Sequence, residues 1–179
     1  MISDQSKRNL ETALHRAVRA TLVRDPGDVC DIVPEQSDGI EARAEGKLLL
    51  LTLSAFAFRL MIGYRIADTP GNRAYYVTVT SARTLDDVFA ELANMCTGAL
   101  NRELSRSFPH LAMSTPYTTS GQCIQYLSDL KPDFVSSYKV TINGTVRLQA
   151  TICMCCSAPI EFVDAATLEV DPVGELELF

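Results

Sequence analysis

Near the start of the chain apolar residues recur at every fourth position, Leu10, Leu14, Val18 and Leu22, and this stripe predicts a helix over about residues 7–24. The sequence RDPGD then stops it, and residues 30–46 are polar and irregular. The next run, LLLLTLSAFAFRLMIG, begins at Leu48 and reads as central sheet. From Phe56 onward Phe56, Phe58, Leu60, Ile62, Tyr64 and Ile66 alternate with Ala57, Arg59, Met61, Gly63 and Arg65, a period of two that means strand. Pro70 and Gly71 lie in ADTPGNR, and the AYYVTVTS after it is rich in β-branched and aromatic residues, so two strands joined by a turn are expected.

Thr84 and Asp87 have the spacing by which a hydroxyl and a carboxylate satisfy the free amide donors of a helix start. Behind them Leu85, Val88, Phe89, Leu92, Met95, Cys96, Leu100 and Leu104 form the apolar stripe of a long helix ended by SFP. After HLAMSTPYTTSG a short helix is expected near residues 123–130. Asn143-Gly144 then sits between alternating runs, the strongest short-range hairpin signal because both central residues need positive φ. The acidic residues 164–179 end in alternation and read as a frayed end or an edge strand. The sum is an α+β domain over residues 1–163 in which long helices cover an antiparallel sheet.

Size agrees with one domain, since 179 residues of which 47% are hydrophobic allow one sizeable core. A net charge of -6, with lysines and arginines scattered, argues against nucleic-acid binding. Charges in MISDQSKRNLETALHRAVRA occupy the place of a signal peptide's apolar centre, so a cytoplasmic protein is expected. Arg59 and Arg65, together with the alternation, oppose membrane insertion of the apolar run.

Six cysteines, Cys30, Cys96, Cys123, Cys153, Cys155 and Cys156, offer C-x-x-C spacing only at Cys153 and Cys156 within CMCC, and both histidines, His15 and His110, lie apart from them. In an alternating CMCC, Cys153 and Cys155 face one way and Cys156 the other, a poor arrangement for one tetrahedral ion. The thiols read as small core side chains, with a redox or metal sensor as the competing reading.

One side of the long helix is harder to explain. Asp87, Glu91, Asn94, Gly98 and Asn101 follow steps of three and four and so share one face. A solvated face would satisfy that spacing. Such faces favour lysine and glutamate, however, whereas asparagine is a poorer helix former and a mid-helix glycine costs about 1 kcal/mol relative to alanine. Gly98 therefore marks either close approach by another backbone or a tight contact between helix and sheet.

ELANMCTG, residues 91–98, resembles the E-x-x-N helix of the CheC, CheX and FliY chemotaxis phosphatases. In that family an Asp or Ser commonly precedes the Glu by four, as Asp87 does, and a later strand carries a proline roughly two dozen residues after the Asn. Pro116 answers to it, and Ser114-x-Pro116 followed by Gly121 is similar to the S-x-P and Gly of CheX-like members. The specific match covers about residues 84–121, and the order of elements covers the rest. A single E-x-x-N fits the one-site CheX-like form. The family usually places a helix between early sheet strands, where this sequence reads as strand and turn.

The resemblance implies a phosphatase acting on a phosphorylated CheY-like receiver, with Mg2+ bound in the receiver and no cofactor of its own. Asn94 would hold the attacking water in line with phosphorus, and Glu91 would pair with the receiver's lysine. Asp87 would lie at the edge of that contact, and Gly98 would let the partner's backbone approach. A homodimer through sheet edges is also implied. A non-enzymatic adaptor of the same fold, using the same helix to bind a receiver or another signalling protein, is the alternative.

Overall fold

The computed structural model describes residues 1–35, 46–78 and 82–163. Helix α1 (Asp4–Leu22) is capped by Ser3, whose hydroxyl accepts from the Ser6 amide. Strands β1 (Cys30–Pro34), β2 (Lys47–Ser54) and β3 (Phe58–Ile66) follow, then helices α2 (Pro70–Tyr76) and α3 (Leu85–Leu104). Short strands β4 (Ala112–Met113) and β5 (Tyr117–Ser120), a 3-10 helix over Gly121–Leu130, and the hairpin β6 (Phe134–Ile142) and β7 (Val146–Cys156) complete the described chain. Residues 164–179, read as a frayed end or edge strand, lie outside the described residues.

The sheet runs β1-β6-β7-β3-β2, and β2 takes both β4 and β5 on its far side. Every pairing of these strands is antiparallel. The α+β architecture expected from the hydrophobic pattern is therefore the one observed. Leu51, Leu53, Leu60, Ile62, Tyr64, Val140, Ile142, Ala150 and Ile152 supply the sheet side of the core. Leu10, Leu14, Val18, Phe89, Cys96 and Leu100 supply the helix side. Arg16 reaches Glu103 and Thr21 reaches Cys96, so α1 and α3 lie side by side and antiparallel.

Three local readings need correction. Alternation begins at Phe58 rather than Phe56, because residues 55–57 form the turn between β2 and β3, and Phe56 is 97% exposed there. The 123–130 segment is helical but of the tighter 3-10 kind, starting at Gly121. The strand expected in AYYVTVTS is replaced, over its first three residues, by α2; residues 79–81 of that stretch lie outside the described ones.

The reason α2 is a helix is local chemistry at its start and tertiary bonding in its middle. Thr69 accepts from the Asn72 amide, and Pro70 occupies the first turn, where its missing N–H costs nothing. Buried Asn72 donates to the carbonyls of Ala67 and Arg147 and accepts from the Arg147 amide, tying the helix to β7. This helix falls between β3 and the long helix α3 and not between two early strands, so the departure from the family's usual order remains among the described residues.

Candidate functional site

Helix α3 begins with a complete capping box. The Thr84 hydroxyl accepts from the Asp87 amide at 3.2 Å, and the Asp87 carboxylate accepts from the Thr84 amide at 3.0 Å. Both satisfy donors that the first turn would otherwise leave open. The Thr84 hydroxyl also donates to the Asp87 carboxylate at 2.6 Å, and this bond, with the one from the Thr84 amide, holds the Asp87 carboxyl below the usual carboxylate range.

Burial fixes the roll of the helix. Leu85, Phe89, Ala93, Cys96, Thr97 and Leu100 are buried, and the Thr97 hydroxyl lies 3.1 Å from the Tyr64 hydroxyl of β3. The buried stripe runs through Phe89, Ala93, Cys96 and Leu100, and Asn94, one residue on from Ala93, is turned about 100° away from it. Asp87, Glu91 and Asn94 are accordingly exposed, and the Asn94 side chain makes no hydrogen bond among the described residues. An unengaged primary amide can both donate and accept.

The rest of the row divides. Gly98 is half-buried, and a Cβ built there would meet nothing closer than the flexible end of Arg102 at 3.9 Å. A tight helix-to-sheet contact thus does not explain this glycine. Asn101 is half-buried at the far end of the row, with its Oδ1 enclosed and without a hydrogen-bond partner among the described residues. Asp87, Glu91, Asn94 and Gly98 therefore share a single accessible strip.

Sequence reading missed two neighbours of that strip. Met95 belongs to the apolar stripe by its spacing, but it is 57% exposed and stands beside Asn94. The buried residues on its side of the helix end at Cys96, so the stripe is narrower than the apolar pattern suggested. Arg83 precedes the cap and folds forward onto Glu91, with Nη1 donating to Oε2 at 2.9 Å. The sequence signal was there: a basic residue directly before an N-cap, followed by acidic residues in the first two turns.

The guanidinium of Arg83 holds the Glu91 carboxyl below its ordinary range, so Glu91 is a carboxylate and a weak base at neutral pH. On the same flank Lys47 pairs with Asp86 at 2.5 Å, which raises the lysine. The strip can thus offer charge pairing and an oriented amide rather than proton transfer.

The flanking S-x-P is structural. The Ser114 amide donates to the Thr52 carbonyl and the Ser114 hydroxyl accepts from the Thr52 amide, both at 2.9 Å, fastening the β4–β5 region to β2. Gly121 donates to the Gly46 carbonyl at 2.8 Å, closing the end of the β5 pairing. In the terminal hairpin, Asn143 and Gly144 have φ of 50° and 70°. CMCC alternates as its pattern requires: Cys153 is buried against the sheet face opposite the helices, while Cys156 packs against the helix-side core.

No family model matches the sequence, and no curated protein matches it. Solved structures do. The chemotaxis protein CheX of Vibrio vulnificus aligns with 84% of this chain and 99% of its own length, at a TM-score of 0.53 and 14% identity. CheX of Borrelia burgdorferi, solved in a CheX–CheY–BeF3–Mg2+ complex, aligns with 84% of this chain and 97% of its own, at 0.54 and 11% identity. The FliM middle domain of Vibrio alginolyticus aligns with 82% of this chain and 92% of its own, at 0.53 and 8% identity. The chain has the CheX/CheC-like fold that its E-x-x-N helix and S-x-P strand led one to expect.

Proposed function

We propose that this protein dephosphorylates a CheY-like receiver by inserting Asn94 into the receiver's phosphorylated site. The observation that carries the reading is an exposed, unengaged amide at the centre of a capped helix whose roll is fixed by burial on the other side. The fold adds support, because one solved relative of that fold was crystallised with CheY, BeF3 and Mg2+.

In the proposed reaction a water held by the Asn94 amide attacks phosphorus, and the bond between phosphorus and the receiver's aspartyl oxygen breaks. The aspartate leaves as a carboxylate, and the phosphate formed takes the water's protons. Such transition states need alignment and charge neutralisation more than covalent help. A neutral amide suits this place, whereas a carboxylate would be repelled by the phosphoryl oxygens. Mg2+ bound by the receiver supplies the charge neutralisation, so the phosphatase needs no metal of its own. Glu91 docks the receiver's lysine, Asp87 holds the helix start and borders the contact, and Gly98 leaves room for the partner's backbone.

The FliM middle domain favours keeping the adaptor as the second reading, since one fold serves differently named proteins and a fold does not fix an activity. Phosphate release from a phosphorylated CheY-type receiver separates them. A phosphatase accelerates release well above the receiver's own rate; an adaptor binds the receiver and leaves that rate unchanged.

A further inference from the structure

Glu91, the carboxylate proposed to receive the partner's lysine, is already engaged in the free protein. Arg83 Nη2 lies 2.7 Å from Oε1 and Nη1 lies 2.9 Å from Oε2, a two-pronged pair. Nη2 also reaches the Asp87 carbonyl at 3.4 Å, which lays the guanidinium along the first turns of α3. A cation arriving at Glu91 therefore meets a neutralised carboxylate with a like charge beside it. Both side chains are largely open to solvent, at 46% and 63%, so the pair is weak, screened by salt and readily exchanged.

We infer that Arg83 is an intramolecular latch on Glu91, which a receiver must displace with a cation of its own before the Asn94 helix can dock. The inference rests on the function proposed above and adds a specificity device to it: partners without a suitably placed cation leave the latch closed. Arg83 thereby acts as a specificity-determining residue through Glu91, without touching phosphorus.

The test measures kcat and KM for phosphate release from a phosphorylated CheY-type receiver by the full chain, as wild type, Arg83→Gln, Glu91→Gln and the double variant, at low and high salt. At low salt Arg83→Gln is expected to lower KM about five-fold. The gain disappears in the Glu91→Gln background and shrinks at high salt. An NMR titration of the Glu91 carboxyl, which needs no partner, is expected to move upward in Arg83→Gln. An unchanged or raised KM in Arg83→Gln, or an equal drop without Glu91, overturns the latch while leaving the phosphatase standing. A wild type that neither releases phosphate nor binds a BeF3-activated receiver overturns the proposed function and the latch with it.

Discussion

Asparagine in the middle of an exposed helix face is a poor choice for stability, since its short amide competes with the backbone for hydrogen bonds. Asn94 makes no such bond among the described residues, so its presence has no visible structural return. Glu91, one turn earlier, differs because its charge is held by Arg83. If Glu91 docks a receiver lysine, Glu91→Gln removes the charge while keeping the shape. We expect KM to rise roughly 10–100-fold, with a smaller change in kcat. Steady-state phosphate release checks this, and a KM within two-fold of wild type contradicts it. The pH dependence follows in sign. Glu91 and Asp87 both have folded pKa values below their ordinary ones. Their pairing is intact above the ordinary carboxylate range and is lost only as pH falls through the lowered values. The Arg83–Glu91 pair and the helix cap should therefore be insensitive to pH from neutrality down to about 4.

At the scale of the element, α3 is a rod whose two faces answer to different demands. The buried face, from Leu85 to Leu104, orients it, and the capping box fixes where it starts. Gly98 is the point where those demands conflict. Alanine there would meet no atom closer than 3.9 Å, and helix propensity favours it by about 1 kcal/mol. Gly98→Ala is accordingly expected to raise the melting temperature by a few degrees while raising KM for the receiver. A fall in melting temperature would contradict the packing described, and an unchanged KM would contradict close approach at this turn. This helix was legible in sequence because its signals are local: a Thr–Asp cap, a 3.6-residue period and an E-x-x-N row. The β6–β7 hairpin was legible through Asn143-Gly144 for the same reason. Helix α2 was not. Tyr75, Tyr76 and Val77 carry strand propensity, and what makes the segment helical is Asn72 bonding to Ala67 and to Arg147, 75 positions away. Arg83 is only partly legible, since its place before the acidic first turns is a local signal whereas its partner lies eight residues on and is reached by folding forward over the cap.

On the scale of the whole molecule, one sheet face packs against α1 and α3, and this packing is what turns a sequence pattern into a site. The Tyr64–Thr97 contact and the Arg16–Glu103 bridge hold α3 against β3 and α1, so Asn94 cannot rotate inward without breaking both. Fold class followed from periodicity and turn chemistry, and the CheX/CheC-like arrangement followed from one helix and one strand. Which surface stays open did not follow, because Met95 and Leu92 look alike in a pattern yet differ in exposure. The central claim is that a single amide, delivered by this rigid rod, orients water in another protein's phosphorylated site. Asn94→Ala measures it most directly, through phosphate release and through binding to a BeF3-activated receiver. The account predicts a loss of about 100-fold in release with binding retained. Release at the wild-type rate from Asn94→Ala would contradict it.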